Sequence, residues 1–273
     1  LFLNWSPFVK WSDTCLVFKP WENVRILGVL QRIALCYFFA SVIIYYGKSR
    51  MALFIGMMIL VIYCVLSFAL GAAGHPYSLS GYFGNAIDFN ILGISHIYKG
   101  EGVPFDPEGL TSTLPAIVQV IFGFLVGEYI QLKGKNFEML AKLLLTGVVL
   151  VLVGFIWDFS FPINKKIWTS SYVFYTSGLA IVTLSMFIYL LEFNNAKGKW
   201  SQFFDVFGKN PLFIFVLSGF LPRVLALLRW VDHVDEKGEP VYTNALPWFY
   251  QNVCKDVASD LRIGSLLYAL CII

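Results

Sequence analysis

A chain of 273 residues that is 58% hydrophobic and 18% aromatic but only 14% charged is too apolar for one water-soluble core, in which about a quarter of the residues carry charge. Its net charge of +3 is spread over connections rather than gathered in a patch, so no nucleic-acid partner is expected. The five cysteines show no CxxC or His-paired spacing. Cys36, Cys64 and Cys271 lie in apolar runs, while Cys15 and Cys254 lie in polar segments and leave a disulfide open.

The chain opens on "LFLNW", with neither an initiator Met nor a basic signal-peptide start, and closes on the short apolar run "GSLLYALCII". Further helices are expected beyond both ends. Between them, Met51 to Ile87 and Ile167 to Leu191 carry no charge, and a bilayer crossing needs roughly 20 such residues. "MALFIGMMILVIYCVLSFAL" shows none of the alternation of a barrel strand. The fold class is therefore all-α, a polytopic transmembrane bundle, read as a single domain over residues 1–273. Spans are predicted at Val29 to Gly47, Ala52 to Gly71, Leu110 to Ile130, Ala141 to Trp157, Tyr172 to Leu191 and Phe203 to Leu221, with a seventh from near Ile263. All should be helical, because lipid leaves no partner for an open backbone group.

The connections alternate in character. "KSR" at 48–50, "LKGKNFEMLAK" at 132–142 and "EFNNAKGKWSQ" at 192–202 are short and basic; the stretches 72–109 and 222–262 are long and carry no basic excess of that kind. The positive-inside rule puts the basic turns in the cytoplasm and the long loops outside. "DFSFPINKKIWTSS" at 158–171 falls on the outer side yet carries Lys165 and Lys166. Either two lysines are tolerated there, or they meet an anionic partner. "DHVDEKGEP" at 232–240 reads as a solvated outer turn without chemistry.

In "FDPEGLTSTLP", Asp106 is placed to cap the coming helix, Pro107 suits its first position and Glu108 faces the positive end of its dipole. One acid suffices for a cap, which leaves Glu108 for other work. In "VRILGVLQRIALCYFF", Arg25 precedes the first span, and Gln31 and Arg32 enter it. A charge there either snorkels or has a partner, and Asp106 and Glu108 lie on the same side. His96, in "DFNILGISHIYKG" beside Asp88, is a loop histidine that caps or catalyses. "FPINKKIWTSSYV" joins Asn164, Lys165 and Trp168 just before a span, as an interfacial anchor or a binding edge. Asn210, before Pro211, mends a helix kink or binds. No histidine pair has metal-ligand spacing, no HExxH or GxSxG occurs, and no metal is expected. The spans from Ala52, Ala141 and Tyr172 hold no interior acid of the kind ion-coupled transporters use near the midplane.

Taken together, "RILGVLQRIAL", "DFNILGISHIY", "FDPEGLTSTLPAIVQVIFGFLVGE", "FPINKKIWTSSYVFYTSGLA", "FGKNPLFIFV" and "RIGSLLYAL" occur in an order that resembles the heparan-alpha-glucosaminide N-acetyltransferase family and its bacterial relatives, over nearly the whole chain. The resemblance implies a multi-helix membrane acyltransferase, in a bacterial inner membrane, that takes acetyl from cytoplasmic acetyl-CoA to an amine of an amino sugar on the far side. It also implies a catalytic histidine upstream of this chain's first residue. The positions that match are Arg25, Gln31, Arg32, His96, Asp106, Glu108, Asn164, Lys165 and Trp168; Lys166 does not match. Glu108, Asp106 and His96 are then the catalytic candidates, and Arg25, Gln31, Arg32, Asn164, Lys165 and Trp168 the substrate-binding ones. The expected partners are membrane lipid, a glycan or amino-sugar acceptor and acetyl-CoA as co-substrate, with a homodimer left open. Two other classes stay open: a transporter or flippase for a glycan precursor using the same rim, and a structural membrane subunit.

Overall fold

The computed structural model describes residues 2–12, 15–234, 238–257 and 260–272 and divides into two compact units, Arg25–Lys197 and Leu1–Val24 with Gly198–Ile273. In chain order the elements are α1 (Phe2–Trp5), β1 (Val9–Ser12), β2 (Cys15–Phe18), α2 (Val29–Leu70), α3 (Gly84–Leu92), α4 (Leu110–Lys133), α5 (Phe137–Asp158), α6 (Ser170–Ile188), α7 (Lys199–Lys209), α8 (Pro211–Leu225), β3 (Arg229–Val234), β4 (Pro240–Asn244), α9 (Ala245–Phe249), α10 (Lys255–Val257) and α11 (Leu261–Ile272). The all-α expectation holds, with two small antiparallel hairpins, β1–β2 and β3–β4. Four helices, α2, α4, α5 and α6 with its continuation to Phe193, are long and apolar enough to cross a membrane, the architecture of a multi-pass membrane protein.

Within the unit Arg25–Lys197, α2 is two passes rather than one. Its helical run is broken at Lys48 (φ 53°, ψ −179°), at the predicted basic turn. A straight helix would hold Arg32 and Tyr63 roughly 45 Å apart. Instead Arg32 stacks on Trp168 while the Tyr63 hydroxyl donates to the neighbouring Ile167 carbonyl at 2.5 Å, so the two arms run antiparallel. The buried Cys36, Ala40 and Ala52 pack on Ala116, Ile117 and Ile121 of α4. Deeper in the bundle, Leu60 packs with Val118 and Phe122 of α4 and with Val173 and Phe174 of α6.

The helices α5 and α6 meet backbone to backbone. A Cβ built on Gly154 would stand 2.6 Å from the Tyr175 nitrogen, and one built on Gly178 would stand 2.6 Å from the Val151 nitrogen. Small residues let membrane helices approach this closely and gain dispersion contacts that lipid cannot supply. Asn136 caps α5 by accepting from the Met139 N–H at 2.7 Å, and Thr169 caps α6 by accepting from Tyr172.

The second unit corrects one span. The run predicted as continuous from Phe203 to Leu221 is two helices, α7 and α8, that meet at 80°. Asn210 is the corner. Pro211, at the first position of α8, has no N–H for a continuing helix, while the Asn210 amide donates to the Val206 carbonyl at 3.0 Å and closes the end of α7. In the same unit Arg229 lies between the rings of Trp11 and Tyr242, 3.9 and 4.2 Å from their centroids. The stretch 232–240 includes the end of β3 and the start of β4, and its residues 235–237 lie outside the described residues. Cys15 and Cys254 are both free thiols.

Candidate functional site

One end of the Arg25–Lys197 unit gathers the polar side chains singled out in the sequence. Arg25 stands just before the first pass. Its Nε donates to Asp106 Oδ2 at 2.9 Å, and its Nη2 bonds both Asp106 Oδ1 and Glu108 Oε2. The guanidinium also lies 4.8 Å from the centre of the Tyr98 ring. Burial alone would disfavour its charge, but the two carboxylates outweigh that and hold Arg25 more firmly protonated than usual. A fork-shaped cation between two acids is the geometry that guanidinium satisfies and ammonium does not.

This overturns the expected role of "DPEG". Helix α4 begins only at Leu110, after Gly109, so Asp106 does not cap it and Pro107 is not its first residue. Asp106 has a fully buried side chain and folds a turn instead. Its Oδ1 accepts the Glu108 N–H at 3.0 Å and its carbonyl accepts the Gly109 N–H at 2.9 Å. Both Asp106 oxygens are thereby engaged. Glu108 differs: Oε2 binds Arg25, whereas Oε1 makes no hydrogen bond among the described residues, on a side chain 22% exposed.

The cap of α4 comes from elsewhere. Asp88, on α3, accepts from both the N–H and the hydroxyl of Thr111, each at 3.2 Å to Oδ1. Burial pushes its carboxyl up to about 6, with the nearby Asp106 charge adding to the effect and the Thr111 bonds opposing it. Sequence reading missed Asp88 as a structural acid. Its signal was an aspartate inside "NAIDFNIL", in a segment otherwise almost without charge.

Arg32 was expected to find Asp106 or Glu108. It is 6% exposed and its hydrogen bonds run instead to backbone carbonyls, Nη1 to Pro107 at 2.7 Å and Nη2 to Ser112 at 2.8 Å. Its guanidinium carbon lies 3.9 Å from the centre of the Trp168 ring. Burial, not snorkelling, is the outcome, and the indole face takes the place that a carboxylate would fill. Trp168 is held in the left-handed region (φ 53°), an unfavourable backbone for a bulky residue that persists only where the surroundings fix it. Its indole N–H donates to Gln119 Oε1 at 2.9 Å, and the Gln119 amide donates to Thr176 Oγ1 at 2.8 Å. A cavity of 240 Å³ between α4 and α6 is lined by Gln119, Thr176, Ser177 and Leu184 among others.

The remaining candidates separate. Asn164 is a turn residue: its side-chain oxygen accepts from the Lys166 N–H at 2.9 Å and its own N–H donates to Thr169 at 3.0 Å. Lys166 ion-pairs with Glu101, while Lys165 is exposed and has no salt bridge among the described residues. Gln31 is half-buried and makes no side-chain hydrogen bond among them. The backbone carbonyl of the half-buried His96 accepts from Ile26 N–H at 3.3 Å, beside Arg25. Below this rim Tyr63 and Tyr82 share a hydrogen bond at 2.8 Å, and burial raises the Tyr82 hydroxyl well above its ordinary value. At the opposite end of the unit, the turn at Lys48 and Arg50 lines an open cleft with Glu128, and Lys135 bonds the Glu192 carbonyl. Among the described residues no three His, Cys, Asp or Glu side chains gather as metal ligands.

No family model matches the chain. Two curated proteins are similar to it at a distance. Heparan-alpha-glucosaminide N-acetyltransferase of Homo sapiens is 27% identical over 263 residues, covering 74% of this chain and 38% of that protein. The Mus musculus protein of the same name is 26% identical over 297 residues, covering 85% and 43%. The chain thus spans well under half the length of the curated relatives it matches, and it is related to them distantly over most of its own.

Proposed function

We propose that this chain serves a transmembrane acyl transfer, in which acetyl from acetyl-CoA reaches the amine of an amino sugar held outside the cytoplasm. The distant relation to proteins named as glucosaminide N-acetyltransferases supports the reaction class. The observation that carries the site is the Arg25 clamp on Asp106 and Glu108 at one end of a five-pass bundle, with one Glu108 oxygen left over. The basic turns at the other end, around Lys48, Arg50, Lys133 and Lys135, favour a cytoplasmic face there by the positive-inside rule.

The chemistry requires a neutral amine. In the transfer the amine nitrogen bonds the thioester carbon, the carbon–sulfur bond breaks, coenzyme A leaves as its thiol, and one proton is released from the nitrogen. Before the attack Glu108, with Arg25 fixing one oxygen, holds the acceptor as its ammonium and takes a proton from it at Oε1 to leave the neutral amine; the proton the nitrogen loses in the transfer itself passes to the departing sulfur. Asp106 aligns Arg25 and folds the turn. Arg32, pinned on Trp168, supplies positive potential where charge builds on the carbonyl oxygen. Gln31 and Lys165 offer polar contacts to the acceptor at the same rim.

The test uses the full-length protein in detergent with acetyl-CoA and glucosamine. Glu108→Gln is expected to cut transfer by about two orders of magnitude, in the range for a positioned proton acceptor, with the protein still folded. An unchanged rate removes Glu108 from the site. Passage of labelled sugar into liposomes without acetyl-CoA would replace the enzyme by a transporter.

A further inference from the structure

Glu108 is held from both sides. On one side Asp106 accepts the Glu108 N–H at 3.0 Å and is itself locked to Arg25. On the other side the next residue, Gly109, lies against the carboxylate of Asp88, and a Cβ added at Gly109 would overlap Asp88 Oδ2. Asp88 is 2% exposed and comes from a different helix, α3. It grips Thr111 by both the N–H and the hydroxyl, and the Thr111 hydroxyl also reaches the Gly84 carbonyl at 3.5 Å.

An ordinary N-cap is supplied by the residue before the helix and leaves that residue's neighbours free to move with it. Here the residue before α4 is a glycine with no side chain to cap. The cap crosses from α3, so the start of α4 and the turn before it are fixed to a second helix. We propose that Asp88 is a positioning residue: by capping α4 across Gly109 it sets where the Glu108 carboxylate stands relative to Arg25. The inference rests on the functional reading for its consequence in catalysis, but the placement it describes is independent of that reading.

Two measurements on the full-length protein in detergent test it. For the first, Glu108→Cys is combined with Cys15→Ser and Cys271→Ser, which remove two exposed thiols, and the rate of labelling by a polar maleimide is followed. Adding Asp88→Ala is expected to raise that rate about fivefold or more by freeing the turn, and Asp88→Asn, whose amide oxygen still accepts from Thr111, to return it to within about threefold of the start. For the second, with Glu108 intact, Asp88→Ala is expected to lower kcat for acetyl transfer about tenfold with KM for acetyl-CoA unchanged, and Asp88→Asn to restore it. Labelling unmoved by Asp88→Ala, or not restored by Asp88→Asn, overturns the proposal. Should Asp88→Ala not fold, Thr111→Val removes only the hydroxyl donor and is expected to raise labelling about twofold; no change there is equally decisive. If the parent protein transfers no acetyl at all, the functional reading fails while the labelling still decides the role of Asp88.

Discussion

The guanidinium carbon of Arg32 sits over the indole of Trp168, 3.9 Å from its centre, while two of its nitrogens are spent on backbone carbonyls of Pro107 and Ser112. One arginine thus joins the first pass, the "DPEG" turn, the start of α4 and the approach to α6. Trp168→Ala is expected to leave a buried cation beside a void and to destabilise by about 3–5 kcal/mol, as large aromatic truncations do. Trp168→Phe keeps the ring face and loses only the bond to Gln119, at about 1 kcal/mol. Thermal unfolding in detergent separates the two. Equal losses would mean that the Gln119 bond, not the stacking, holds the site.

Asp106 and Glu108 share a cation but not a role. The Asp106 side chain is fully buried and Glu108 is 22% exposed. Asp106→Asn is expected to cost about 3–5 kcal/mol, because Arg25 and the turn lose a buried charged partner. Glu108→Gln is expected to cost about 1 kcal/mol or less, since Arg25 keeps Asp106 and the site is open to water. Melting curves of the two variants give the order, and the reverse order would assign the structural role to Glu108.

The buried Asp88 makes stability depend on pH. Its carboxyl ionises near 6 in the fold and near 3.8 in the unfolded chain, raised by burial first and by Asp106 in addition. Between those values the folded protein binds more protons than the unfolded one, so this group's contribution falls as pH rises from about 4 to about 6 and is level above. The charge that acts on it is that of Asp106, itself paired with Arg25, and the hydroxyls of Tyr63 and Tyr82 lie nearby. The unfolding free energy of wild type minus that of Asp88→Asn is expected to fall across this window, with a slope of up to about 1.4 kcal/mol per pH unit. A difference independent of pH would show that Asp88 is already ionised at low pH.

Lys48 turns the chain with φ 53° and ψ −179°, a conformation nearly confined to glycine that costs another residue on the order of 1–3 kcal/mol. Lys48→Gly is expected to raise stability by about 1 kcal/mol, the relieved strain less the extra backbone entropy glycine loses on folding, and Lys48→Val to lower it by about as much, because a branched side chain fits this backbone worse. A stabilising valine would rule out the reversal.

Much of the bundle was legible from the sequence because charge-free runs of membrane length have few alternative fates. The basic triplet at 48–50 marked a turn that hydrogen-bonding pattern alone runs through. What failed was local. Asp106 and Pro107 look like the start of a helix, but Gly109 intervenes, and an aspartate more than twenty positions upstream takes over the cap. Sequence spacing cannot reveal a cap supplied by a neighbouring helix. For Arg32 the sequence leaves snorkelling and a carboxylate partner open, and the structure gives neither: its partners are carbonyls and an indole, which do not show as an opposite charge. The sixth span broke at Asn210 because Pro211 denies the helix its next N–H; the sequence carried the proline, and only the 80° angle was unreadable.

The touching backbones of α5 and α6 have a consequence for traffic. With the main chain of Gly154 against Tyr175 and that of Gly178 against Val151, the seam admits no lipid tail, no pantetheine-sized thread and no hinge opening without tearing packed main chain apart. These two helices form a wall. The open space beside α6 lies on its other flank, where it faces α4 across the Gln119–Thr176 cavity.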